Sequence, residues 1–169
     1  MNYTNMSYNN MSYTNMNYIK KNYGDIIGTF NGVQSYSNSN NKIDNEIDNK
    51  NYYNNIYTGI KWECVEYVRR YLIINHNITF TNVNSAFEIP DAQFMTLHGE
   101  IIIPNNNLVI GSIIIFPKDY EIDSPDGHVA IVSSFLSSGI TVVEQNYNDN
   151  IFPRFISYND LKNVKILNV

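Results

Sequence analysis

The chain has 169 residues, enough for one domain with its own core and too few for two. A net charge of −5 and a pI near 5.0, with eleven Lys and Arg residues scattered along the chain, leave no footprint for nucleic acid or an anionic membrane. Cys64 is the sole cysteine, so no internal disulfide forms; there is no basic segment followed by an apolar run at the N-terminus and no apolar stretch of spanning length, and a cytoplasmic location is expected.

The first 23 residues repeat with period five, with Met at 1, 6, 11 and 16 and Tyr at 3, 8, 13, 18 and 23. That period matches neither a helix nor a strand, so no face becomes apolar. Residues 1–23 are expected to be a disordered low-complexity tail, and residues 24–169 the folded domain. Gly24 to Val33 reads as short strands broken at glycines, and residues 37–55, rich in Ser, Asn, Lys and Asp, as a solvated loop. Trp62, Val65, Val68, Tyr71 and Leu72 recur at steps of three and four and predict an amphipathic helix from Lys61 to Asn75. Pro90-Asp91 predicts a second helix through Leu97, with Pro at the first position and an acid in the first turn.

Beyond residue 100 the chain turns β-branched. Ile101 to Ile103, Ser112 to Phe116, His128 to Ser134, Ile140 to Gln145 and Val164 to Val169 are separated by turn formers, and Ser137-Ser138-Gly139 is a hairpin turn. Helices followed by hairpin-linked strands predict an α+β fold, with an antiparallel sheet packed against the Cys64 helix.

A thiol attacks well only as thiolate, and a helix N-terminus together with an imidazolium can bring a thiol pKa to about 3.5–7.5. Cys64 falls in the first helical turn if Gly59-Ile60 precedes the helix, where backbone N–H groups could also hold an oxyanion. A buried structural cysteine is the competing reading. His76 lies past the helix end and His98 precedes Gly99 at an expected helix C-cap; only His128, which follows Gly127 and opens the strand from Val129 to Val132, suits a base.

Glu144 or Asn146 would orient that imidazole. A regular hairpin puts Glu144 opposite Ile131 or Val132, about 10–13 Å from His128 at ~3.3 Å per residue, and brings Asn146 closer. Glu144 takes the role only with a bulge or a wider turn. No second Cys and no His-x-x-x-His exists, and Gly28 to Gly32 is not followed by Gly-Lys-Ser/Thr, so neither a metal nor a cofactor is expected.

The segments Gly59 to Arg70, Gly127-His128-Val129-Ala130-Ile131-Val132 and Val143-Glu144-Gln145-Asn146 resemble the CHAP amidases, in particular the amidase domain of the glutathionylspermidine and trypanothione synthetases. Gly28 to Ser37, Thr81 to Ile89 and Gly111 to Phe116 agree in order, so the resemblance covers roughly residues 24–169. It implies a papain-like fold and a small-molecule or peptide amide substrate, with Cys64 as nucleophile, His128 as base and Glu144 as its orienter. It favours Glu144 over Asn146, and it implies substrate contacts from Arg69, with Asn146 and Trp62 as further candidates. The ATP-grasp module of the bifunctional enzymes does not follow, so no ATP-dependent ligation is implied. Relatives commonly carry Gln before the nucleophile, whereas Glu63 stands here and is expected to face solvent. The expected activity is hydrolysis of the amide between the glycine carboxyl of glutathione and a polyamine. The alternatives are a peptidoglycan or peptide hydrolase, and a CHAP fold kept as a binding module.

Overall fold

The computed structural model describes residues 20–39, 49–120, 125–149 and 151–169. Most of the period-five repeat lies outside them. Its last tyrosine, Tyr23, donates a hydrogen bond to the Lys61 carbonyl at 3.0 Å and packs beside Trp62.

β1 (Ile26–Phe30) and β2 (Val33–Tyr36) form the first hairpin, closed at Asn31-Gly32. β3 (Lys50–Tyr53) and β4 (Ile56–Ile60) form a second around Asn54-Asn55, both with positive φ. Part of the expected solvated loop at 37–55 is therefore a strand. β3 is mostly exposed, so backbone pairing to β4 and two asparagines that tolerate the left-handed region make it, without an apolar pattern to announce it. Residues 40–48 of that segment lie outside the described residues.

The helix α1 runs Cys64–His76, starting three residues later than the apolar stripe suggests. Tyr67, Val68, Tyr71 and Leu72 are buried on it, and Asn77 ends it in the left-handed conformation, its N–H donating to the Ile73 carbonyl. The second helix expected at 90–97 is absent. A 3-10 helix covers Ala86–Asp91 with Pro90 inside it, and Phe94–Thr96 is instead strand β6, paired with β5 (Ile78–Phe80) and β7 (Ile101–Ile102). Cross-strand burial of Phe94 against Phe80, ring centroids 5.3 Å apart, outweighs the local Pro-Asp preference. His98 accordingly sits in the β6–β7 turn and not at a helix end.

Five antiparallel strands form the main sheet in the order β11-β10-β9-β8-β12: β8 (Ile113–Phe116), β9 (His128–Leu136), β10 (Gly139–Val143), β11 (Arg154–Ser157) and β12 (Lys165–Leu167). Alternation splits its side chains into two cores. Val129, Ile131 and Val143 join α1 in one cluster, while Ala130, Val132 and Val142 join Phe116, Ile140 and Ile156 in the other. The α+β architecture, with the Cys64 helix on an antiparallel sheet, is as the sequence predicts. Among the described residues no helix is long and apolar enough to cross a membrane.

Candidate active site

Cys64 is the first residue of α1. Gly59 and Glu63 set it there: Gly59 has φ +146, and a Cβ on it would lie 2.9 Å from Glu66 Cα, so the chain passes tightly under the first turn. His128 is the first residue of β9, paired with Phe116. Gly127 before it has φ +65, and a Cβ there would meet the Phe116 carbonyl at 2.6 Å, so glycine alone lets the chain enter β9 at this angle.

Glu144 reaches His128 because β9 carries a bulge. Leu136 pairs with Gly139 and Ser134 with Thr141, but Val142 pairs with Val132, so Ser133 is the extra residue. Downstream of it Val143 pairs with Ile131, which sets Glu144 beside Ala130, on the same sheet face as His128. In a regular hairpin Glu144 would face the other way. The diagonal that results is within reach of long side chains.

His128 Nε2 donates to Glu144 Oε2 at 2.9 Å, which leaves Nδ1 for the hydrogen bond the imidazole makes with Cys64. Burial disfavours the imidazolium, yet the sulfur and the Glu144 carboxylate on its two sides outweigh that and push its pKa up to about 10. Glu144 is itself 3 % exposed. Burial alone would raise its pKa, but Arg154, donating from Nε at 2.5 Å and from a terminal nitrogen at 2.8 Å, and then His128 hold it below the usual carboxylate range. Arg154 pairs with Val142 on β11, and its guanidinium lies 3.9 Å from the Tyr147 ring centroid.

A cavity of about 740 Å³ opens over the thiol, and its wall includes Cys64, His128, Glu63, Arg69, Asn146 and Asp126. Arg69 is buried, with its terminal nitrogens donating to the Thr58 and Thr81 carbonyls and its guanidinium carbon 4.4 Å from the Phe80 centroid. Its Nε has no partner, and burial lowers its pKa. Asn146 is not the group that holds His128 Nε2; its side-chain amide donates to Glu63 Oε2 at 2.5 Å. Trp62 is not in the cavity wall. It precedes the helix and packs against Tyr36 on β2, the ring centroids 4.1 Å apart and the planes inclined by 33°.

Glu63 was expected to face solvent, and the structure places it in the cavity wall, where Asn38 and Asn146 each donate to its carboxylate. Burial raises its pKa, the two amides oppose that, and Asp126 adds to it. Among the described residues no cluster of three or more His, Cys, Asp and Glu side chains could hold a metal.

Sequence reasoning missed two groups. Arg154 is invisible without the β10–β11 pairing. The buried set of Glu66, Arg70 and Gln145 was half visible, since Glu66 and Arg70 stand at i, i+4 in the helix, where Arg70 Nε donates to Glu66 Oε1 at 2.7 Å. Gln145 completes it from the adjacent strand end.

The bifunctional glutathionylspermidine synthetase/amidases of Escherichia coli (strain K12) and Shigella flexneri are each 30% identical to this chain over 137 residues, 73% of the chain and 22% of the relative. A glutathionylspermidine synthase of Crithidia fasciculata is 30% identical over 111 residues, 59% of the chain and 15% of the relative. The chain thus spans about a fifth of the length of these curated relatives. The CHAP domain matches residues 52–146, a range that takes in Cys64, His128 and Glu144, and with the helix-on-sheet architecture around those residues, the chain belongs to the CHAP domain family of cysteine amidohydrolases.

Proposed function

We propose that this protein is a cysteine amidase that cleaves the amide joining the glycine carboxyl of a glutathionyl group to a polyamine. One observation carries the reaction type: a thiol at the start of α1 hydrogen-bonded to an imidazole whose other nitrogen is held by a buried carboxylate, at the floor of an open cavity. In the first step the Cys64 thiolate adds to the carbonyl carbon and the carbonyl electrons move to oxygen. The electrons return, the C–N bond breaks, and the His128 imidazolium gives its proton to the departing amine, leaving a thioester on Cys64. Neutral His128 then takes a proton from water, hydroxide adds to the thioester, and the thiolate leaves with the free carboxylic acid as the product, which gives up its proton to solvent. Glu144 keeps the imidazole oriented and compensates its charge, and Arg154 keeps Glu144 ionised.

The substrate class rests on the relatives and on the cavity. Arg69, a cation among the residues of the wall, suits a carboxylate of the acyl portion. Glu63 and Asp126, on the same wall, suit a cationic amine. Asn146 shapes the wall through its bond to Glu63.

Purified protein incubated with glutathionylspermidine, and separately with cell-wall fragments, tests this by mass spectrometry. Glutathione and spermidine should appear from the first incubation and not with Cys64→Ala, whose thermal transition should stay close to that of the parent. Cleavage of the wall fragments alone would assign the site to peptidoglycan. A native thiol that iodoacetamide reaches only after unfolding would make Cys64 structural.

A further inference from the structure

We infer that Gln145 is a positioning residue that aims the backbone N–H of Cys64 at the oxyanion, so that the dipeptide Glu144-Gln145 orients both halves of the catalytic machinery; this rests on the reading of Cys64 as the nucleophile. Successive residues of an extended chain face opposite ways. Glu144 lies on the His128 side of the sheet, and Gln145 on the side of α1, where it is fully buried and all of its amide is used. Its Nε2 donates to the Glu63 carbonyl at 3.1 Å and to Glu66 Oε2 at 3.0 Å. Its Oε1 accepts from the Tyr36 N–H at 2.9 Å and from Arg70 at 3.5 Å.

The bond to the Glu63 carbonyl is the one with a chemical consequence. That carbonyl belongs to the peptide whose other end is the Cys64 N–H. In a trans peptide the two groups point in opposite directions across one rigid plane, so pinning the oxygen fixes the direction of the N–H. As the first residue of α1, Cys64 has an N–H without an intrahelical acceptor, and Glu63 makes no side-chain cap. The Tyr67 N–H also reaches the Glu63 carbonyl, at 3.2 Å, but it belongs to the helix itself and moves with it. Gln145 ties the peptide to the sheet that carries His128. The other partners make the tie stiff: Glu66 accepts from Asn51, Thr58 and Arg70 as well, and the Glu144 carbonyl accepts from Ser35 Oγ at 2.6 Å.

Two reactions of the same thiol separate this role from general support of the fold. Alkylation by iodoacetamide displaces iodide and builds no oxyanion. Addition of the Cys64 sulfur to a glycinal-type peptide aldehyde turns the carbonyl oxygen into the thiohemiacetal oxygen, where the oxyanion of an amide would stand. Gln145→Met keeps the volume and removes both polar atoms. It should weaken aldehyde affinity and lower kcat on the glutathionyl amide by about 10- to 100-fold, somewhat less than deleting an oxyanion donor outright. KM and the rate and pH profile of alkylation should stay within about twofold. If that variant fails to fold, Gln145→Asn, which keeps an amide too short to reach Glu63, should give the same split. Unchanged aldehyde affinity, or alkylation and aldehyde binding falling together, overturns the inference. A parent protein that binds the aldehyde but leaves the glutathionyl amide intact fails on substrate identity, and the aldehyde comparison still decides the role of Gln145.

Discussion

Arg154→Met tests the least expected part of the site, a buried cation behind the carboxylate that holds the imidazole. Arg154 is 8 % exposed and Glu144 3 %, and the pair shares two charge-assisted hydrogen bonds. Breaking a buried pair by removing one partner costs about 3–5 kcal/mol, because the other charge stays in place. Here His128 remains as a partner, which puts the expected loss near the lower end, about 3 kcal/mol at pH 7, or roughly 6–12 °C in Tm for a domain of this size. The pH dependence gives the cause away. Glu144 has a folded pKa below its unfolded one, so the stability it contributes is present above the unfolded value and lost as pH falls through the folded value. The difference between parent and variant should therefore be full near pH 7 and shrink on acidification. Urea unfolding at a series of pH values between 7 and 3 measures it. A loss under about 1 kcal/mol at pH 7, or a difference that does not change with pH, would refute the reasoning.

Glu144→Ala should cut kcat by orders of magnitude, while Asn146→Ala, which frees only Glu63, should act mainly on KM; equal kcat losses would mean that Asn146 also serves the imidazole. His128 has a folded pKa raised to about 10, so its stabilisation is complete below an unfolded value near 6.5 and disappears as pH rises through about 10; denaturant titrations should show that slope in the parent and not in His128→Gln. Removing residues 1–19 should leave turnover and Tm unchanged, since a period of five supplies no apolar face, and a clear drop in Tm would show that the repeat packs.

Local chemistry made some of this legible in the sequence and long-range pairing hid the rest. The Cys64 helix announced itself because Val65, Val68, Tyr71 and Leu72 repeat at the helical period, and β8 to β10 because runs such as Ile113 to Phe116 suit a buried strand. Trp62 fits the same stripe by spacing yet stands before the helix, since spacing cannot tell where an N-cap falls. Phe94 to Thr96 goes against its local signal, because a Pro-Asp start is a local signature, while pairing with β5 and β7 is not. The proximity of Cys64, His128 and Glu144 followed from family resemblance. From the residues alone the regular register pointed to Asn146, and nothing in Val132-Ser133-Ser134 marks where the extra residue falls. Arg154 belongs to a strand whose partner is fixed only by the folded sheet.

The bulge at Ser133 also bears on how such a domain can change. Everything between it and the open end of the hairpin is read in steps of two. Drawing Ser133 into a regular pair with Val142, with the tip pairing kept, would slide the ladder by one and exchange Glu144 with Gln145, handing the imidazole a neutral amide and the helix an unwanted carboxylate. Ser133 is five positions from His128, about 16 Å along the strand. A register change at that distance would disarm the site while every residue in it stays the same, and an inventory of motifs would still count the protein as intact.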